Sequence, residues 1–274
     1  MMAATKLFAF ASSFSDDVLR LKESASTATT PDDRHLLELD VETMFVRSGA
    51  GRICRENDPD RSAGPRMFFA GCARGNLARV RDDVDEQLAA RLLAIAAEAP
   101  VWREPEVIPQ CLAKIVELLS SVQPAVTIGP GLIYELPNGL SYEHSATIVR
   151  GDSVEGERMF ARLADRGLPR YMMDAGFKSV GDFWEPWCVA MEGEEIASIA
   201  FAARIAAKGA EIGVYAFPKF RARGFAAAVT ASWSSMATLG DRALFYSTQK
   251  SNRSSQRVAA RLGLRLIGAS LRIS

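Results

Sequence analysis

The chain has 274 residues, 48% of them hydrophobic and 24% charged, with equal numbers of basic and acidic side chains and a formal net charge of zero. That profile belongs to a globular chain with a sizeable core, and it argues against a general polyanion-binding surface, so nucleic acid is not an expected partner. Cys54, Cys72, Cys111 and Cys188 form no C-x-x-C pair, and His35 and His144 are the only histidines, so no metal is expected.

The N-terminal run "MMAATKLFAFASSFSDD" is a poor signal peptide, and no apolar run approaches the roughly 20 residues that span a bilayer. The expectation is a cytoplasmic protein with reduced thiols and no membrane partner. Residues 1–35, biased toward Ala, Ser and Thr, read as a flexible lead-in. "LELDVETMFV" partly alternates and reads as a strand, with "SGAGR" turning toward "ICRE". "PRMFFAGC" and "NLARVR" flank a second turn, "ARGN". Val84, Leu88, Leu92 and Ile95 then share one helical face, and so do Ile108, Cys111, Leu112, Ile115 and Leu119. Residues 36–124 therefore read as an N-terminal α+β domain that carries no motif tied to chemistry.

From Ala125 the pattern changes. "AVTIGPGLIYELP" and "SATIVR" read as strands, and "SVEGERMFARLAD" as a helix with Ser153 at its N-cap. "PWCVAME", the turn "GEE" and "IASIAFAARIA" form a hairpin, followed by the strand "AEIGVYAF". The basic stretch "FPKFRARGFAAAV" comes next, and its helix carries Phe225, Val229, Trp233 and Met236 on one face. "RALFYST" is a strand. "NRSSQRVAARLGL" is a helix ending at Gly263, and "LRLIGASLRI" closes the chain as a strand.

The basic stretch poses a question of charge. Lys219, Arg221 and Arg223 stand at the mouth of a helix, where the dipole is already positive. An anion docked on the free N–H groups there would resolve the conflict, and Gly224 would let it approach the backbone. A P-loop and a dinucleotide fingerprint are both absent. The motif present is Arg-x-x-Gly-x-Ala, at Arg221, Gly224 and Ala226. It resembles the pyrophosphate-binding motif [QR]-x-x-G-x-[GA] of the GNAT acetyltransferase superfamily. "YSTQKSNRSSQRVAARLGL" resembles the second signature of that family, a strand leading to Asn and then a helix ending in Leu-Gly.

The resemblance covers the C-terminal half, residues 125–274. It implies an α/β (α+β) fold with a GNAT-type mixed, mostly antiparallel sheet flanked by helices, here with an N-terminal α+β extension. It implies acetyl-CoA or another acyl-CoA as co-substrate and a primary amine of a small molecule or peptide as acceptor, with a homodimer left open. Val214, Tyr215 and Ala216 would offer backbone groups to the pantetheine arm. Arg221, Ala222, Arg223, Gly224, Phe225 and Ala226 would wrap the pyrophosphate, and Asn252 and Ser255 would lie beside the cofactor. Lys219 or Arg253 would be nearest the 3′-phosphate.

Glu211 is the candidate general base, with Glu195 second. Many relatives place a tyrosine seven residues after the Asn position, where this chain has Ala259. Tyr246 or Ser247 on the preceding strand would substitute as general acid. Phe183, Trp184 and Trp187 would line an acceptor pocket or belong to the core. The rival reading is a catalytically silent CoA-binding regulatory protein with the same fold, which Ala259 favours and Glu211 opposes.

Overall fold

Leu36, Leu37, Val41 and Met44 recur at helical spacing, and in the computed structural model, which describes residues 32–274, they form the buried stripe of α1 (Asp33–Met44). The strand expected at residues 37–46 is thus mostly helix. Asp32 caps it by accepting from the N–H of Arg34, and extended backbone returns only at β1 (Phe45–Arg47). The alternation in the sequence misled because Leu37, Leu39 and Val41 also fit a period of two. The lead-in expected at residues 1–35 lies outside the described residues up to Pro31, and residues 33–35 belong to α1.

β1 pairs with β2 (Ile53–Glu56). The expected hairpin follows as β3 (Met67–Cys72) and β4 (Gly75–Val80), and all six residues of β3 are buried. Helix α2 (Glu86–Glu98) is capped by Asp85, and α3 (Leu112–Val122) starts later than its apolar pattern suggested, leaving Ile108 exposed. The second half supplies β5 (Ile128–Leu136), β6 (Thr147–Arg150), α4 (Val154–Arg166), α5 (Arg170–Met173), β7 (Cys188–Glu192) and β8 (Glu195–Ile205). It continues with β9 (Gly209–Ala216), α6 (Phe225–Ser234), β10 (Ala243–Gln249), α7 (Arg253–Arg261) and β11 (Arg265–Ile273). Ser153 caps α4, as its position predicts, by accepting from the Gly156 N–H at 3.1 Å.

Nine strands of the described residues form one sheet in the order β4-β3-β11-β5-β10-β9-β8-β7-β6. Only β9 and β10 run parallel; every other neighbouring pair is antiparallel. This is the expected mixed, mostly antiparallel sheet flanked by helices. The boundary drawn at residues 124–125 falls inside a shared structure. β11 pairs with β3 on one side and β5 on the other, and Asp32–Ser274 form one compact unit. No helix of the described residues is long and apolar enough to cross a membrane.

Alternation along the central strands sorts the core into two faces. Ile133, Phe245 and Ile267 face α1, together with Phe68 and Ala70 of β3. On the other face Leu132, Leu271 and Ile273 pack with α2 and α3, while Ile212, Leu244 and Tyr246 share a cluster with Phe225, Val229 and Trp233 of α6. Phe245 is fully enclosed under a helix contributed by the first half of the chain. Burial of a side chain of that size is worth about 1.5–3 kcal/mol.

Candidate functional site

β9 and β10 share only three residue pairs: Gly209 with Ala243, Ala210 with Leu244, and Glu211 with Phe245. Beyond them, residues 212–216 pair with β8 alone and residues 246–249 with β5 alone. The sheet therefore opens between the C-terminal ends of its two parallel strands. A bulge in β8 between Ala202 and Arg204 sits level with the point where the opening begins, and a bulge bends and twists a strand locally.

The backbone lining the opening follows from pleating. The Phe217 N–H donates to the Ala197 carbonyl of β8, so the polar groups of Val214 and Ala216, out of phase with it, face the opening. The backbone of Tyr215 is turned toward β8, where its carbonyl accepts from Ser198 Oγ at 2.8 Å. Of the three residues expected to line the arm, Val214 and Ala216 present main-chain groups, and the ring of Tyr215 lies 5.9 Å from the Arg221 guanidinium.

At the end of β9 the chain makes a single 3₁₀ turn, Pro218–Phe220, and then a loop with two left-handed residues, Ala222 (φ 63°) and Gly224 (φ 90°). Such residues curl successive N–H groups toward a common centre. The first hydrogen bond into α6 runs from the Ala228 N–H to the Gly224 carbonyl, so the N–H groups of Phe225, Ala226 and Ala227 precede the helical ladder. Gly224 is required twice over. Its φ is left-handed, and a Cβ there would lie 3.0 Å from the His144 ring and 3.2 Å from the Tyr142 hydroxyl.

The cations of this loop divide. Lys219 Nζ reaches Glu195 at 2.5 Å, and Arg223 forms a two-point pair with Glu192, so the β7–β8 hairpin turn neutralises both. Arg221 pairs with no carboxylate among the described residues; its Nε donates to the Ala216 carbonyl at 3.1 Å. Glu195, the second candidate base, is thus committed to Lys219. His144 and Tyr142, from the connection between β5 and β6, were not anticipated. The Ala146 N–H donates to His144 Nδ1 at 2.9 Å, which leaves Nε2 to donate to the Arg223 carbonyl at 2.9 Å and pin the loop. A histidine followed two residues later by a bare amide carries no signal in the sequence.

The opposite wall is β10. Tyr246 is buried, and its hydroxyl lies 2.7 Å from Ser255 Oγ. Asn252 caps α7, accepting from the Ser255 N–H at 3.1 Å. Three of the expected site residues, Tyr246, Asn252 and Ser255, therefore meet at the start of α7. Burial pushes the Tyr246 phenol above its ordinary pKa, partly offset by the Ser255 hydrogen bond, so it stays protonated at neutral pH. Ala259, where relatives carry tyrosine, is wholly buried. Ser247 projects to the other face, and its Oγ is buried without a hydrogen-bond partner among the described residues.

Glu211 closes the apex of the opening. It is nearly buried and accepts from Arg204 Nη1, while Arg204 Nη2 reaches Glu56 at 2.9 Å and Arg272 also binds Glu56. Burial pushes the Arg204 guanidinium down, and Glu211 and Glu56 more than reverse that, holding it above its ordinary value. Arg204 also borders a cavity of about 590 Å³ lined by Asn57, Asp58, Arg61, Phe183, Trp184 and Glu185 among others. Of the aromatics expected at an acceptor pocket, Phe183 and Trp184 line this cavity. Trp187 does not: it is 1% exposed and packs on Phe160 and Phe183 in the core. Among the described residues no group of three or more His, Cys, Asp or Glu is placed to hold a metal ion.

Residues 157–265 match the family model described as an acetyltransferase (GNAT) domain. No curated protein matches the chain. Among solved structures, a tandem GNAT protein from the clavulanic acid biosynthesis pathway is similar at 12% identity, over 89% of this chain and 95% of its own, with a TM-score of 0.44. A GCN5-related N-acetyltransferase from Kribbella flavida is 15% identical over 90% of this chain and 96% of its own, TM-score 0.37. An acetyltransferase from the GNAT family of Colwellia psychrerythraea is 11% identical over 88% and 95%, TM-score 0.39. At such scores these likenesses carry no argument about substrate or mechanism.

Proposed function

The C-terminal part of the chain is a GNAT acetyltransferase domain, and from that premise we propose that the protein takes an acyl group from acetyl-CoA or a longer acyl-CoA and passes it to a primary amine of a small molecule or peptide. The observation that carries this reading is the opening between β9 and β10, which starts after Glu211 and Phe245 and leads to the loop of residues 221–226. The residues suit an acyl-CoA. A side-chain-free Gly224, outward N–H groups ahead of α6 and Arg221, which has no carboxylate partner among the described residues, suit a pyrophosphate, and the edge of β9 at Val214 and the Ala216 N–H, beside the Ala216 carbonyl that Arg221 takes, suits an amide-bearing arm. The acyl-CoA supplies an activated thioester carbonyl.

The protein's own contribution is alignment, charge and proton traffic. Arg221 and the N–H groups of Gly224, Phe225 and Ala226 hold the anionic end. Main-chain groups of β9 fix the arm so that the thioester lies at the apex, and an N–H there stabilises negative charge on the carbonyl oxygen. Glu211 takes the proton of the amine, directly or through a water, and the cavity beside Arg204 admits the amine. Tyr246, steadied by Ser255 and through it by Asn252, donates toward the leaving sulfur, with Ser247 the alternative donor on the other face.

A second reading has its own support. Ala259 replaces the usual acid, and Glu211 is held by Arg204, both of which suit a CoA-binding regulator without turnover. Calorimetry with acetyl-CoA and a longer acyl-CoA, followed by thiol release over a panel of amines, separates the two. Binding with thiol release supports the enzyme, binding without release from any amine supports the regulator, and no binding removes both.

A further inference from the structure

Asp40 of α1 is 0% exposed, and neither of its carboxylate oxygens has a hydrogen-bond partner among the described residues. Helix α1 lies on β9, β1, β11, β3, β4, β10 and β8. The charged groups that act on Asp40 from these strands are Glu211 of β9, Arg204 of β8 and Arg272 of β11. β3 and β10 face α1 with the apolar Phe68, Ala70 and Phe245. Arg79 of β4 and Arg47 of β1 act near Glu38 and Glu42 instead, and Arg47 pairs with Glu42 at 3.0 Å. Glu56 of β2 completes the group, since Arg204 and Arg272 both bind it.

The charges in this cluster do not balance. Among the described residues the carboxyls of Asp40, Glu56 and Glu211 share only the guanidiniums of Arg204 and Arg272. Fully ionised, the cluster leaves one negative charge uncompensated in the core, a strongly disfavoured state. One retained proton removes it. Glu211 and Glu56 each accept from a guanidinium, and Asp40 from none, so the proton belongs on Asp40.

We propose that Asp40 carries a proton at neutral pH and, as the neutral member of this buried cluster, makes no claim on the guanidiniums, which leaves Arg204 to hold Glu211 at the apex of the β9–β10 opening. Burial, and then the charge of Glu211, push its carboxyl well above the ordinary carboxylate range, with Arg204 and Arg272 opposing. The first half of the chain thereby acquires a part in the site: α1 and β2 supply Asp40 and Glu56, while Arg204, Glu211 and Arg272 come from the second half. The positioning role rests on the proposed reaction; the protonation does not.

The linkage has a definite sign. A carboxyl whose folded pKa is raised favours the fold fully below its unfolded value, near pH 4, and loses that contribution as pH rises toward the folded value. Asp40→Asn keeps the shape and has no proton to lose. Between about pH 5 and the folded value, the ratio of unfolding constants, wild type over Asp40→Asn, is expected to rise about tenfold per pH unit. Infrared spectra of the wild type at pH 7 should contain a carboxylic-acid C=O band that Asp40→Asn lacks. If Asp40→Asn does not fold, titration of that band in the wild type decides alone. Absence of the band at pH 7, or stability curves that run parallel with pH, would show Asp40 ionised and overturn the protonation. With acetyl-CoA and an accepted amine, Asp40→Asn should keep the acidic limb of the pH–rate profile and depart from wild type only above the pH at which the wild-type acid band titrates; a shifted acidic limb, or no departure at that pH, overturns the positioning role. A protein that releases no thiol with any amine removes the proposed reaction and the positioning role, and leaves the protonation to the band and the melts.

Discussion

Glu211 and Phe245 are the last residues that β9 and β10 share, and each is anchored on the same face of the sheet. Phe245 is locked in the core under α1, and Glu211 is tied through Arg204 to Glu56. The parallel pair is therefore fixed at its closed end while its open end is free to receive a ligand.

Binding comes first. Arg221→Ala should weaken acetyl-CoA about tenfold, the loss of one charge-assisted contact at an exposed site. Gly224→Asp should weaken it further, because it puts a side chain against His144 and a negative charge into the anion cradle. Calorimetry on both variants, with the melting curve as a check on folding, is the measurement. Wild-type affinity in both would place the anion elsewhere.

Two donors compete at the leaving sulfur, and two variants separate them. Tyr246→Phe deletes the hydroxyl that meets Ser255 and should cost about 1 kcal/mol of stability. Ser247→Ala deletes a buried hydroxyl without a partner among the described residues, so it should leave stability unchanged or slightly raised. Turnover should fall in Tyr246→Phe at constant acetyl-CoA affinity. If it falls only in Ser247→Ala, the roles are exchanged.

Glu211→Gln tests the base, and the ion pair adds a second readout. The substitution leaves Arg204 paired with Glu56 alone, and weakening one charge-assisted hydrogen bond while the other pair persists costs about 1.5–3 kcal/mol. The variant should therefore melt lower as well as lose roughly 10²–10⁴-fold in turnover. Acetyl-CoA affinity should hold. A variant with a lowered melt and full turnover would leave Glu211 a purely structural role.

The shared sheet predicts the behaviour of fragments. A chain of residues 125–274 alone loses α1 over Phe245, Ile133 and Ile267, and loses β3 beside β11. It should aggregate or melt without cooperativity by circular dichroism and calorimetry. A soluble, cooperative fragment would show that the second half folds by itself.

The sequence determined those features that are local. Spacing along the chain placed β3 and β4 around their tight turn, Ser153 at the cap of α4, the β7–β8 hairpin, and the order of strand, basic loop and alanine-rich helix around Arg221 and Gly224, because turns, caps and short amphipathic runs are set by residues a few positions apart. It misread α1, where leucines fit both periods, and nothing in it marked Tyr142 and His144. The tertiary structure decided everything that depends on distant residues meeting. Only strand pairing reveals that β5 lies between β10 and β11, that the sheet crosses the expected boundary, and that the parallel pair ends at Glu211. Only packing brings Asp40 and Glu56 to Arg204, Glu211 and Arg272. Charges far apart in sequence have no signature until burial removes the water between them, and then a single unpaired carboxyl dictates where a proton must reside.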